Sequence, residues 1–193
     1  MSIMPGRSEY SRMKSDAWKQ SDRILRGEVD VVAVEWAEAW EEAQGSFAEL
    51  TIDRVYDLAV VGSDVARARG DYARAAKLLE IYFDHPIRTG EDRDLSLYLR
   101  ASLGDYLWRA GDPVRGTTEL LRAISAAPPR NRRFWANLVL NLVGELLRSS
   151  EGPVPPDVLR LADEVLRACG RPAISAGTDM DVSYPDIAGL FEI

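Results

Sequence analysis

The sequence predicts an all-α protein built from about eight helices that pair as successive helical hairpins. Three observations predict it. Apolar residues recur at three- and four-residue steps through most of the chain, as half-buried helices require, and no segment alternates as a strand would. The breaks between these segments are short and marked by Gly or Pro. One break, a helix-forming run followed by Gly-Asp and a new helix start, occurs twice, in ARARGDYARAAKLL at 66–79 and WRAGDPVRGTTELL at 108–121. A chain of 193 residues that is 46% hydrophobic and 28% charged suits one domain with a real core, or one short repeat array.

Each element follows from local chemistry. Residues 8–26 have a polar helical pattern that ends at Gly27. A second helix over 30–44 starts at Asp30, a plausible N-cap, and buries Val32, Trp36, Ala39, Trp40 and Ala43 on one face before Gly45. The third runs from the cap Thr51 to Arg69, and the fourth from Tyr72 to about Phe83, stopping before Pro86. After the loop HPIRTGED come a fifth helix over roughly 93–110 and a sixth over 113–126, with Pro113 at the tolerated first position. Pro128 and Pro129 end it. The seventh covers about 131–149, the run SSEGPVPP breaks the chain, and the eighth spans Asp157 to Cys169. The tripeptide Arg69-Gly70-Asp71 is a corner in this reading. It is flanked by helix formers rather than by the Gly, Pro and Ser of a displayed loop, and glycine there terminates a helix.

The two Gly-Asp corners superpose. Leu103 and Gly104 precede Gly111 by eight and seven residues, and Gly116, Leu120, Ala123 and Pro128 follow it at five, nine, twelve and seventeen. In the earlier unit Ser63 precedes Gly70 by seven, and Ala75, Leu79, Tyr82 and Pro86 follow at five, nine, twelve and sixteen. Small residues at these positions let two helix backbones approach, and the bulky ones fill the seam. Gly116 is expected to cross the helix that carries Gly104, with no space for a large side chain, while alanine there could gain the intrinsic helix preference.

This pattern resembles the tetratricopeptide repeat. Residues 97–130 fit its 34-residue frame and 56–86 fit it less fully, whereas 13–45 and 131–172 match weakly. The resemblance implies a right-handed stack of antiparallel hairpins forming one domain over 1–173, followed by a C-terminal tail, 174–193. It also implies a concave groove lined by the first helix of each hairpin, through its second, fifth, ninth, twelfth and thirteenth positions. On the best repeat these are Tyr98, Ala101, Asp105, Trp108 and Arg109. On the preceding unit they are Asp57, Val60, Asp64, Arg67 and Ala68, and on the third Arg132, Trp135, Val139, Leu142 and Val143. The polar and aromatic members, Asp57, Asp64, Arg67, Tyr98, Asp105, Trp108, Arg109, Arg132 and Trp135, are the candidate protein-binding residues, because aromatic beside charged side chains are the chemistry of binding hot spots. For Trp108 and Trp135 packing between hairpins stands as the equal alternative. The Lys and Asn of a carboxylate clamp are missing, so binding of chaperone tails is not implied.

No catalytic, metal or cofactor constellation is expected. His85 is the single histidine and falls at a helix end; Cys169 is the single cysteine and has no second histidine to activate it. Asp179 and Asp181 lack the glycine and distal glutamate of a calcium loop, and no phosphate-cradling glycine motif occurs. No run is long enough to span a membrane, no apolar stretch of a signal peptide opens the chain, and one cysteine permits no internal disulfide, so a cytoplasmic setting is expected.

Charge narrows the partner. The net charge is −7, with six basic against ten acidic residues in 1–50 and three against eight in 151–193. Residues 101–150 reverse the balance, seven against four, with Arg130, Arg132 and Arg133 together. Such a protein disfavours nucleic acid and anionic lipid and mildly favours a basic protein or peptide. Three non-catalytic readings follow: a groove-binding module, an immunity protein that neutralises a basic toxin or nuclease, and a regulatory or assembly subunit, with self-association open. The tail is expected to dock on the apolar face of Trp135, Val139, Leu142 and Val143, its Asp179, Asp181 and Asp186 approaching Arg130, Arg132 and Arg133.

Overall fold

Three helix-to-helix corners, and the end of the last described helix, are made by glycines in the left-handed region. Gly27, Gly70, Gly111 and Gly170 have φ of 92°, 75°, 89° and 75°. At each, the following residue's N–H reaches back to the carbonyl five residues earlier, as in Glu28 to Arg23 at 3.0 Å and Asp71 to Ala66, Asp112 to Leu107 and Arg171 to Leu166 at 2.9 Å. This is the Schellman closure, which satisfies carbonyls orphaned at the helix end. At two corners the aspartate after the glycine also caps the next helix: Asp71 accepts from Arg74 N at 3.0 Å and Asp112 from Arg115 N at 3.1 Å. The Arg69-Gly70-Asp71 tripeptide is therefore a helix stop joined to a helix start.

The computed structural model describes residues 16–44, 46, 49–85, 93–148 and 154–171. These form eight α-helices and one 3-10 turn, Pro129–Asn131, with no strand among the described residues. The helices are α1 Asp16–Leu25, α2 Val29–Gln44, α3 Ile52–Ala68, α4 Tyr72–Asp84, α5 Arg93–Arg109, α6 Pro113–Ala126, α7 Arg132–Arg148 and α8 Pro156–Ala168. The all-α expectation and most helix limits hold. The part of the first predicted helix before residue 16, and the whole tail, lie outside the described residues.

The chain divides into two compact units at residue 91. In the first, α2 turns Val32, Trp36 and Ala43 inward and α3 buries Val55, Tyr56, Leu58, Ala59 and Val61. The Trp36 indole N–H donates to Leu58 O at 2.8 Å, and its ring lies where a Cβ on Gly62 would stand, 2.6 Å from the ideal position. Glycine lets the α3 backbone sit directly beneath the ring. Tyr56 and Tyr82 meet edge to face with centroids 6.0 Å apart, holding α4 against α3. His85 caps the C-terminal end of α4 and is buried.

In the second unit α5 and α6 approach through Gly104 and Gly116: a Cβ on Gly116 would stand 2.7 Å from Gly104 O. It would also fall on Cδ1 of Trp108, so alanine overpacks the seam as leucine would, which counts against the expectation that alanine there could gain. Val139 and Val143 of α7 are wholly buried with Ala101 and Trp108 of α5, Leu120 of α6 and Val165 of α8. Trp135 packs with Leu97 and Ala127. The α7 face expected to seat the tail is thus covered by other helices. Ridges of branched aliphatic residues meeting Gly and Ala give this unit its core.

Candidate interaction surfaces

Two of the first-unit positions expected to line a groove, Asp57 and Asp64, are engaged by α1. Asp57 accepts from the backbone N–H of Ala17, the second residue of α1, at 3.3 Å. A carboxylate there complements the positive end of that helix. Asp64 accepts from Ser21 Oγ and pairs with Arg67 at 3.5 Å. Neighbouring contacts fasten the same region: Arg23 bridges Glu28 at 3.0 Å and Glu35 at 2.6 Å, and Arg69 bridges Asp30 at 2.6 Å. The Arg23 guanidinium holds the Glu35 carboxyl below the usual carboxylate range.

The second-unit positions divide. Trp108 is 9% exposed and donates to Thr117 Oγ1 at 3.1 Å, so it packs inside the α5–α6 seam. Trp135 is 4% exposed, and its indole N–H has no acceptor among the described residues. Asp105 is buried and binds Arg109 Nε at 2.9 Å, and Arg109 reaches Glu145 of α7 at 3.6 Å. Tyr98 and Arg132 remain exposed.

Two surfaces were not read from the sequence. The first is the outer face of α2. Val31 and Val34 are 52% and 61% exposed, and Glu38, Glu41 and Glu42 stand on the same helical stripe, all exposed and without an ion pair among the described residues. Subtracting the buried stripe of Val32, Trp36 and Ala43 from the helix would have found it. The second is a cavity of about 520 Å³ beside the start of α7 and the end of α8. Arg132, Arg133, Ala136, Leu140, Cys169 and Arg171 are among its walls. Cys169 donates weakly to Ala136 O at 3.8 Å, and burial pushes its thiol up to about 11, against the pull of Arg171. A thiol so protonated is a wall rather than a nucleophile.

Among the described residues no group of three or more His, Cys, Asp or Glu could hold a metal ion. No helix there is long and apolar enough to cross a membrane. Compared with known proteins, the chain matches no protein-family model, no curated protein and no solved structure.

Proposed function

We propose that the chain is a non-catalytic helical module of the tetratricopeptide kind that binds a basic protein or peptide, and that the outer face of α2 is where it does so. The observation that carries this is the pairing of two large exposed apolar residues, Val31 and Val34, with the carboxylates of Glu38, Glu41 and Glu42, which make no ion pair among the described residues. Burying a valine against a partner contributes about 1.5–3 kcal/mol, and the carboxylates steer a cationic surface onto it and penalise an acidic one. The opposite stripe of α2 holds the core, so the helix presents this face rigidly. Hairpin architecture within each unit is part of the same reading. It is supported by the Gly70 corner midway between the paired rings of Tyr56 and Tyr82, and by the contacts of Arg100 with Glu119 and Trp108 with Thr117 across the Gly111 corner.

Neutralisation of a basic toxin or nuclease is the second reading, favoured by those carboxylates together with the net charge of −7. The experiment is affinity capture from the native host at low salt, with the wild-type chain and with Glu38→Lys/Glu41→Lys/Glu42→Lys in parallel. A basic protein held by the wild type and lost by the folded variant is the expected result. Equal capture by both, or an acidic partner, contradicts the reading. Concentration-dependent self-association with no other partner would instead indicate an assembly role.

A further inference from the structure

The cavity beside α7 and α8 brings three arginines together. Several arginines on other elements are matched: Arg23 to Glu28 and Glu35, Arg69 to Asp30, Arg100 to Glu119, Arg109 to Asp105. Arg132, Arg133 and Arg171 line one groove, no carboxylate lines it with them, and none of the three makes an ion pair among the described residues. Arg132 and Arg133 also stand in the first turn of α7, where the helix dipole disfavours cations. Between the guanidinium groups Ala136, Leu140 and Ala168 supply apolar surface, beside Asn137 and Cys169. Its volume falls within the roughly 300–1,000 Å³ of ligand-binding clefts. Acidic residues set among apolar ones are the chemistry that fits.

We propose that this groove is the seat of the chain's own segment 174–193. That segment carries Asp179, Asp181, Asp186 and Glu192, has no Lys or Arg, and interleaves them with Tyr184, Ile187, Leu190 and Phe191. The chain leaves α8 at the groove itself. Gly170 turns at φ 75° and Arg171 N–H closes on Leu166 O at 2.9 Å, which fixes Arg171 on the rim. Asp179 follows eight residues later. At roughly 3.3–3.6 Å per residue that length reaches any point of the cavity. A tether this short presents the segment at an effective concentration on the order of millimolar, so an acidic peptide from outside competes at a disadvantage. The seat is distinct from the α2 face, and the inference stands whether or not that face binds a basic partner.

The test is hydrogen exchange on the full chain at low concentration. The amides of 179–191 are expected to exchange at least about tenfold more slowly than in a free peptide of the same sequence, as a docked state ten times more populated than the open one requires. Arg132→Glu/Arg133→Glu removes the protection, Asp179→Lys/Asp181→Lys removes it without touching the helices, and combining the two pairs restores it. Exchange at the free-peptide rate in the wild type overturns the proposal. So does protection that both charge reversals leave intact. Protection that vanishes on dilution overturns it too, and names a second copy as the occupant.

Discussion

Gly116→Ala adds one methyl group at the tightest approach in the second unit. The new Cβ would stand 2.7 Å from Gly104 O and would overlap Cδ1 of Trp108. The carbonyl is backbone and cannot yield without moving α5. The indole is pinned by its bond to Thr117 at 3.1 Å and by burial at 9% exposure. Two effects oppose each other. Alanine in a helix interior gains about 0.5–1 kcal/mol over glycine. Overpacking costs about 1–3 kcal/mol, and displacing the indole from Thr117 forfeits about 1 kcal/mol more. Packing wins, with a net loss of about 1–3 kcal/mol. In a chain of this size each kcal/mol moves the midpoint by about 2–4 °C, so thermal unfolding followed by circular dichroism should show a fall of about 2–12 °C. The cause is isolated by a double-mutant cycle with Trp108→Leu, which removes the ring and should relieve part of the cost, leaving a coupling of about 1 kcal/mol or more. A Gly116→Ala chain that melts at or above the wild type would refute the reasoning.

Other perturbations act on the corners and on the single thiol. Asp112→Ala removes the carboxylate that accepts from Arg115 N, and should cost about 0.5–2 kcal/mol in chemical denaturation with an unchanged m-value; no loss would show the cap to be ornamental. Cys169, with its thiol pushed up to about 11 from an ordinary value of 9.0, should be alkylated at pH 8 about a hundredfold more slowly than a free thiol and approach full reactivity only near pH 11. The neutral thiol is favoured by the folded state, so its contribution to stability is full below pH 9 and is lost as pH rises towards 11. A midpoint of alkylation at pH 9 would place the thiol in solvent.

Helices and corners were legible because their chemistry is local. Thr51 caps α3 by accepting from Arg54 N at 3.3 Å, Pro113 opens α6, and glycines 27, 70 and 111 turn with positive φ where a periodic run stops. The close approach of Gly104 and Gly116 was legible too, since both are small residues at matched distances from one corner. The Trp108 ring over Gly116 was not, because spacing alone does not choose between a groove and a seam for a side chain at the edge of its helix. Nor could spacing along α3 show that α1 would use Asp57 and Asp64 as partners, since those contacts bridge 40 and 43 residues of sequence. The arginine groove has the same origin: Arg132 and Arg171 become neighbours only when α8 folds against α7.

The central claim is that the α2 face binds a cationic partner, and titration calorimetry with the captured protein tests it most directly. Val34→Asp and Glu38→Lys/Glu41→Lys/Glu42→Lys would be compared with the wild type at low and high ionic strength. Val34 is exposed, so neither variant should lower the melting temperature by more than about 1 °C, in keeping with surface substitutions. The account predicts that Val34→Asp weakens binding by at least about tenfold, the loss of roughly 1.4 kcal/mol of apolar contact. It also predicts that the lysine variant abolishes the salt dependence along with most of the affinity. Affinities within a factor of about two of the wild type for both variants, in low salt, would contradict it.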